Sequence, residues 1–229
     1  MEIQNPAADQ MTPPEFWPDY LRDTGVQKVM SLAAACGQWN RDRLSDLQIG
    51  GETPTHVATA AFDLTHEHHG AIMDLLIDGR LGSAFALLRP CFEALVRGLW
   101  LVRGSDAAQF QHFEDGRDSK TVEQLLGDIK RRAKIESADA FLLETWELSK
   151  KSLHQYTHTS YQLLVRRMDA EFLETLPPHS EVADAIRFAT ATAMLASVEI
   201  AKQGKSTTLE KEALRFLGLL YPSNIIEST

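Results

Sequence analysis

The fold of this chain is decided by residues 83–103, which read SAFALLRPCFEALVRGLWLVR. The segment is apolar on nearly every side of a helix, which is typical of a helix buried inside a bundle. Arg89, Glu93 and Arg97 recur within it every four residues and therefore form one charged stripe. Because buried charges are costly unless they are paired, the stripe is either an internal salt-bridge network that sets helix register or a site for a ligand.

A second long helix precedes this segment and predicts a helical hairpin. It covers about residues 55–78, and Thr53 followed by Pro54 is typical of a helix start. The apolar segment belongs to a helix over about 81–103. Because the turn around Gly79 is very short, the two helices should be antiparallel neighbours. The sequence therefore predicts an all-α protein, a single helical bundle built around this long hairpin.

The rest of the chain also shows helical periodicity, and no alternating strand pattern of useful length occurs. Ser119 and Ser137 are the expected N-caps of two of the helices. Helices are predicted over about 24–48, 106–114, 119–135, from 137 to about 148, over part or all of 150–168, and over 180–202 and 208–221. The expected organisation is an N-terminal arm over 1–23, a single helical-bundle domain over 24–221 and a C-terminal tail over 222–229.

The composition is ordinary for a globular protein and excludes several function classes. The formal net charge of −9 argues against a strongly basic surface for nucleic acid, although a local basic patch is compatible with it. Cys36 and Cys91 fall in apolar helical patterns, so we expect buried free thiols in a reducing compartment. The first ten residues lack the apolar core of a signal peptide, and no apolar run reaches membrane-spanning length. We therefore expect a cytoplasmic protein without a membrane partner.

Several common motifs are missing from the sequence. It contains no phosphate-binding glycine loop, no Cys-x-x-Cys pair and no nucleophile elbow around a serine. Their absence removes the common nucleotide-hydrolase, zinc-ribbon and serine-hydrolase interpretations. We expect no cofactor, and no motif for DNA readout is found.

A dense polar run over residues 151–161, KSLHQYTHTSY, is the main candidate for chemistry. Neutral histidine acts as a base near pH 7, and hydroxyl groups bind phosphate oxygens or orient a water molecule. The other interpretation is a buried polar network that fixes helix packing, in which His158 bonds to a carboxylate such as Glu93. The candidate catalytic residues are His158, Arg89, Glu93, Arg97 and Lys151. The candidate ligand-binding residues are His154, Tyr156, Thr157, Tyr161 and Arg166.

Histidines of the second helix offer a metal-binding alternative. His66 and His69 share one helical face, and Asp63 and Glu67 lie nearby. Carboxylate and imidazole groups at this spacing hold metal ions in helical bundles. The other interpretation is a polar, partly exposed helix face with one or two core histidines.

Two blocks of the sequence carry a resemblance to known proteins. The first runs from Ser83-Ala84-Phe85 through Arg89-Pro90-Cys91-Phe92-Glu93 to Val96-Arg97-Gly98-Leu99-Trp100-Leu101, and the second is Tyr156-Thr157-His158 followed by Gln162-Leu163 and Arg166-Arg167. Together they resemble a widespread bacterial family of uncharacterised helical proteins, over about residues 55–204. This resemblance implies an architecture and no activity.

A more distant similarity is to the HEPN superfamily of helical bundles. Many of its members are metal-independent ribonucleases of toxin or antiphage systems. Their usual signature is an arginine, four to six residues and then a histidine, placed near a dimer interface. The nearest equivalent here is Lys151, six residues and then His158. Lysine keeps the charge of arginine but loses the bidentate fork that suits phosphate.

Three functions follow as hypotheses. The similarity implies a HEPN-like protein that cleaves or binds RNA, in which His158 acts on a ribose 2′-hydroxyl. Lys151, Arg89 or Arg97 would then stabilise the phosphorane charge. The alternative is a noncatalytic helical scaffold or partner-binding homodimer, and a homo-oligomer is expected in either case. The second alternative is a metal-dependent bundle enzyme that uses His66, His69, Glu93 and His158.

Overall fold

The computed structural model describes residues 18–132, 137–158, 164 and 177–221. Within these ranges the chain is all-α and contains no strand. The α-helices in chain order are α1 Thr24–Leu44, α2 Thr53–Ile77, α3 Leu81–Leu99, α4 Ala107–Glu114, α5 Val122–Arg132, α6 Ser137–Thr157, α7 His179–Gln203 and α8 Thr207–Leu220. A short 3-10 helix, Asp19–Arg22, precedes α1, and a π-helix, Trp100–Gly104, continues α3.

The predicted antiparallel hairpin is formed by α2 and α3, which pack along their lengths. The turn between them contains Gly79 at a φ of +76°, a conformation that favours glycine. The amide of Gly79 donates to the carbonyl of Leu76 over 3.1 Å, and the amide of Arg80 donates to that of Leu75 over 2.8 Å. This pair of hydrogen bonds is the Schellman arrangement that ends a helix and reverses the chain.

Close packing of the hairpin depends on Gly98. A Cβ atom at this position would overlap the ring of Phe62 on α2. The Phe62 side chain is fully buried, so its ring has no open space into which it can move. The glycine therefore allows α3 to approach α2 at the aromatic ring.

The centre of the bundle is occupied by α7, which packs against α1, α2, α3 and α8. Almost every residue from Val182 to Ala201 is buried. A helix that is buried on all sides is stable only when neighbours cover each side. The helix predicted over 180–202 is thus confirmed, and its buried residues join the hairpin in one continuous hydrophobic core.

The structure corrects three details of the predicted helices. Glu52 precedes the first residue of α2, so Thr53 and Pro54 are its first two helical residues and Thr53 is not the cap. Thr121, not Ser119, starts α5, because the Thr121 amide donates to the Gln124 side chain over 2.8 Å and the Gln124 amide donates back to the Thr121 hydroxyl over 3.4 Å. The helix predicted over 81–103 changes at Trp100 from α to π hydrogen bonding.

The segment before α1 is held by Tyr20. Its side chain is fully buried, and its hydroxyl donates to the carbonyl of Leu76 near the end of α2. Residues 1–17 and 222–229 lie outside the described residues, so the division into arm, domain and tail stays a prediction. Among the helices that the structure describes, none has the length and apolar character needed to cross a membrane.

Candidate functional site

Arg89 of α3 and His154 of α6 line one surface cleft. The cleft has a volume of about 440 Å³, which falls within the range of small-molecule sites in proteins. It lies where α6 packs against α3 and the start of α5 approaches them. The remaining lining residues are Glu123, Trp146, Lys150, Lys151 and Gln155.

The Arg89 guanidinium connects the two helices at this cleft. Its Nε donates to Oε1 of Glu93 over 2.8 Å, and its Nη1 lies 3.1 Å from Nδ1 of His154. Because a guanidinium has donors only, Nδ1 of His154 must accept this hydrogen bond. Neutral His154 therefore carries its proton on Nε2. Glu93 holds the guanidinium, and the guanidinium in turn fixes the tautomer of the imidazole.

His158 lies beside His154, one helical turn further along α6. The ring centroids are 4.5 Å apart, and both residues are exposed. The His158 ring nitrogens make no hydrogen bond to any residue in the described ranges, so they are available to exchange a proton with a ligand. The expected buried hydrogen bond between His158 and Glu93 is not found. His158 faces solvent, and the Glu93 carboxylate accepts a hydrogen bond from Arg89 instead.

The lysines of the cleft differ in their partners. Nζ of Lys150 lies 2.5 Å from Oε2 of Glu147, whereas Lys151 is exposed and makes no ion pair within the described part of the chain. Glu123 also has no ion-pair partner among the described residues. The cleft thus offers one uncompensated ammonium, one uncompensated carboxylate and the Arg89 charge that Glu93 balances.

Trp146 forms the inner wall of the cleft. Its ring stacks on that of Phe92 at a centroid distance of 5.4 Å and an interplanar angle of 12°. The residue is only 3% exposed, and its indole N–H has no hydrogen-bond partner in the described ranges. Buried donors in proteins are nearly always paired, so this one marks a place where an acceptor is missing.

Arg97 does not join the cleft, which corrects the expectation of one guanidinium row. Its guanidinium forms an ion pair with Asp118, whose carboxylate is only 6% exposed. It also lies 5.4 Å from the ring centroid of Trp100 and 5.2 Å from that of Phe113. The stripe therefore divides: Arg89 faces the cleft, and Arg97 holds the end of α3 against the segment that precedes α5.

The hydroxyl-bearing candidates make structural contacts. The Tyr156 hydroxyl donates to Glu181 of α7, and its ring lies 5.0 Å from that of Phe85. The Thr157 hydroxyl donates to the Leu153 carbonyl over 2.8 Å within α6. The remaining two candidates, Tyr161 and Arg166, lie outside the described residues.

Two histidines of α2, His66 and His69, pack against α7 in the interior. His66 Nε2 lies 3.1 Å from both the Ala193 carbonyl and the Ser197 hydroxyl, and His69 Nε2 lies 3.2 Å from the Thr190 hydroxyl. Burial lowers the pKa of His69 to about 4, and it also lowers the pKa of His66. Both rings are therefore neutral at pH 7 and serve the packing of α2 on α7.

Within the described residues, the geometry offers no support for the metal-binding alternative. No group of three or more His, Cys, Asp or Glu side chains within the described residues is arranged to hold a metal ion. The pair His154 and His158 is also unsuited, because a metal-bound histidine normally donates its other N–H to an acceptor. At His154 the second nitrogen instead accepts a hydrogen bond from Arg89.

Three lining residues were missed by the sequence interpretation, namely Glu123, Trp146 and Lys150, whereas Gln155 lies within the predicted polar run but was not among the candidate site residues. One signal was present: Trp146, Lys150, His154 and His158 follow one another at four-residue intervals and so share one face of α6. No comparable signal exists for Glu123, because only the tertiary packing of α5 brings it to the cleft.

Comparison with known proteins supports the resemblance to an uncharacterised family. A family model of unknown function, DUF6988, matches residues 62–217, and this range includes both sequence blocks described above. Neither a curated protein nor a solved structure matches the chain. The family description contains no link to the HEPN superfamily. Because the match covers well over half of the sequence, the chain belongs to DUF6988, a family of unknown function.

Proposed function

We propose that the cleft binds single-stranded RNA through its phosphate backbone and cleaves it without a metal ion. The observation that carries this proposal is the hydrogen bond of 3.1 Å between Arg89 and His154, with the His158 ring centroid 4.5 Å from that of His154. The Arg89 guanidinium, the His154 imidazole and the Lys151 ammonium thus line one surface opening, and the His158 imidazole lies beside it. Metal-independent phosphodiester cleavage needs such a base and such cations.

The binding step relies on local charge, because the whole chain is acidic with a formal net charge of −9. Arg89 uses Nε for Glu93 and Nη1 for His154, which leaves Nη2 to donate to a phosphate oxygen. Lys151 adds a second cation that no described carboxylate neutralises. Because only these two cations, Arg89 and Lys151, meet the phosphate, the affinity for RNA should be modest and should fall as the salt concentration is raised.

The chemical step follows from the position of His158. Its imidazole takes the proton of a ribose 2′-hydroxyl, and the 2′ oxygen attacks the neighbouring phosphorus. The bond from phosphorus to the 5′ oxygen breaks, and that oxygen takes a proton from solvent. The products are a 2′,3′-cyclic phosphate and a 5′-hydroxyl. Arg89 and Lys151 stabilise the charge that develops on the phosphorane, and His154 donates to it from Nε2.

The direct test uses a fluorescent single-stranded RNA with EDTA present. The wild-type protein should cleave it, and mass spectrometry should find the cyclic phosphate. His158→Ala should lower the cleavage rate by at least about 100-fold, which is the usual contribution of a general base. His112→Ala removes an exposed histidine of α4, outside the cleft, and should leave the rate unchanged. Cleavage that survives His158→Ala would remove this residue from the mechanism.

RNA binding measured by fluorescence anisotropy separates the remaining possibilities. Binding without cleavage would reduce the cleft to an RNA-binding site, and the absence of both would leave the noncatalytic scaffold. The distant resemblance of Lys151 and His158 to the HEPN signature suggests testing a toxin or antiphage role. Expression of the wild-type protein in a bacterial host should then arrest growth, and His158→Ala should relieve the arrest.

A further inference from the structure

We infer that binding of a phosphodiester at the cleft is coupled to the uptake of a proton by His154, with the Arg89–His154 hydrogen bond as the switch. The inference rests on the proposed function, since the ligand is the RNA phosphate that Arg89 and Lys151 bind there. It adds a dependence of binding on pH that neither the family match nor the proposed cleavage contains.

The first observation is the direction of the hydrogen bond between the two side chains. Nη1 of Arg89 lies 3.1 Å from Nδ1 of His154, and a guanidinium can only donate. A protonated imidazole carries an N–H on both ring nitrogens, so its Nδ1–H would face the N–H of the guanidinium with no acceptor between them. The contact therefore exists only while His154 is neutral, and protonation must break it.

The second observation is that the full charges near His154 nearly cancel one another. They consist of two ion pairs and two unpaired groups of opposite sign, and the neighbouring imidazole of α6 completes the set. Among the described residues of α3, α5 and α6, the pairs are Arg89–Glu93 and Lys150–Glu147, the unpaired groups are Lys151 and Glu123, and the imidazole is that of His158. In the free protein, the hydrogen bond from Arg89 is therefore the interaction that distinguishes neutral from protonated His154.

A phosphodiester changes this balance in two ways. Its oxygens accept hydrogen bonds and offer Nη1 of Arg89 an acceptor in place of Nδ1 of His154. Its negative charge favours the protonated form of an imidazole beside it. In the bound state both side chains thus donate to the phosphate as cations, and Arg89 uses both of its terminal nitrogens. Because binding takes up a proton, the affinity should rise as the pH falls.

Binding of a fluorescent oligodeoxythymidine, measured by fluorescence anisotropy, tests the inference without any cleavage. This probe lacks the 2′-hydroxyl, and its phosphodiesters do not titrate near pH 7. The wild-type protein should bind it several-fold more tightly at pH 6 than at pH 8, within the limit of about 10-fold per pH unit that one linked proton sets. His154→Gln should remove most of this dependence, because glutamine accepts a hydrogen bond from Arg89 as the neutral imidazole does but takes up no proton.

Two further histidine variants serve as controls. His158→Gln removes the neighbouring titratable ring and should keep the dependence of the wild type on pH. His112→Gln removes an exposed histidine of α4, outside the cleft, and should also keep it. If His158→Gln abolishes the dependence and His154→Gln retains it, the proton is taken up by His158 and the inference is overturned.

Nitrogen NMR of the imidazole rings gives a direct readout in the wild-type protein. The His154 signals are assigned by their absence from the spectrum of His154→Gln. In the free protein at pH 7.5 the ring should be neutral with its proton on Nε2, and saturation with the oligodeoxythymidine should protonate Nδ1. A ring that stays neutral in the complex would overturn the inference.

The outcomes separate this inference from the proposed function. Proton uptake in a protein that cleaves no RNA supports the switch and refutes the proposed cleavage. Binding that is the same at pH 6 and pH 8 refutes the switch even if RNA is cleaved. A wild-type protein that binds no oligodeoxythymidine at either pH also refutes the switch, and the proposed cleavage is then judged by its own assay on RNA.

Discussion

Nη1 of Arg89 lies 3.1 Å from Nδ1 of His154, and this contact joins the charged stripe of α3 to the polar run of α6. The two residues are 65 positions apart in the sequence, and packing of α6 on α3 brings them together. Each belongs to a different candidate cluster of the sequence interpretation. The contact joins the charged stripe and the polar run into one site, and Glu93 positions the Arg89 guanidinium in that site.

Glu93→Gln should impair the site without unfolding the protein. The amide weakens the charge-assisted bond to Nε of Arg89, so the guanidinium loses its fixed position against His154. The Arg89–Glu93 pair is partly exposed, with 25% and 42% of the two side chains accessible, so its loss should cost at most about 1 kcal/mol of unfolding free energy. RNA cleavage should fall by about 10-fold, measured on the fluorescent substrate.

A double-mutant cycle checks that Glu93 acts through Arg89. Arg89→Lys and Glu93→Gln should each reduce the rate, and the double variant should be no slower than Arg89→Lys alone. Fully additive losses would show that Glu93 contacts the substrate or acts independently, and would remove its role as a positioning residue.

The two arginines of the stripe should respond to substitution in opposite ways. Arg97→Met leaves the Asp118 carboxylate, which is only 6% exposed, without its partner, so we expect a loss of about 3 kcal/mol in unfolding free energy. Cleavage should stay at the wild-type rate below the melting temperature. Arg89→Met should instead abolish cleavage with little change in stability.

Urea denaturation and the cleavage assay, applied to both variants, measure this contrast. Equal effects of Arg89→Met and Arg97→Met on the cleavage rate would contradict the division of the stripe. Such equal effects would indicate that both guanidinium groups act on the same ligand.

Unfolding free energy should fall in mild acid because of the core histidines. Burial lowers the pKa of His69 to about 4, whereas an unfolded histidine titrates near 6.5. Between these values the unfolded chain binds a proton that the folded protein does not, so stability is complete above about pH 6.5 and declines as the pH falls toward 4. From pH 7.5 to pH 5 the expected loss from His69 is about 2 kcal/mol.

The measurement compares urea denaturation at the two pH values for wild type and His69→Gln. Glutamine can still bond to the Thr190 hydroxyl but does not titrate, so the variant should lose less stability on acidification. An NMR titration of the His69 ring gives a second readout if the variant folds poorly. A ring that titrates near 6.5 in the folded protein would refute the prediction.

Much of the architecture was predictable because local signals mark the ends of helices. The hairpin turn needs a residue in the left-handed backbone conformation, and glycine at position 79 supplies it. At the end of α7, Gly204 follows the last helical residue. Apolar periodicity between such breaks is enough to pair α2 with α3 and to assign most of the helices, but the helices predicted from 137 and from 150 are one continuous helix, α6. The cap of α5 shows the limit: Ser119 and Thr121 are both suitable residue types, and only the reciprocal bonds with Gln124 distinguish them.

The site was predictable only in part, because its residues come from three helices. The four-residue spacing on α6 identifies a shared face but not which neighbour that face meets. The partners of Arg89 and Arg97 depend on which residues pack against each turn of α3. The sequence contains many carboxylates that could be these partners, and it does not say which of them lie opposite α3. Asp118 is distinguished from them only by the path of the chain after the π-helix.

Substitution of Gly98 should reveal how closely α2 and α3 are packed. A Cβ atom on Gly98 overlaps the Phe62 ring, which is fully buried, so Gly98→Ala should destabilise the protein by about 1–3 kcal/mol despite the better helix propensity of alanine. Gly70 provides a matched control, because it lies in α2 with no atom within 4 Å of its added Cβ. Gly70→Ala should stabilise the protein by about 0.5–1 kcal/mol.

Urea denaturation of the two glycine variants gives the comparison directly. The two substitutions should change the unfolding free energy in opposite directions. Alanine improves helix propensity equally at both positions, but only at Gly98 does the added Cβ atom overlap a ring. The double variant Phe62→Leu with Gly98→Ala should lose less unfolding free energy than the two single variants lose in sum, because the smaller side chain at position 62 relieves the overlap. If Gly98→Ala were as stable as Gly70→Ala, the two hairpin helices would have to lie further apart than the structure describes.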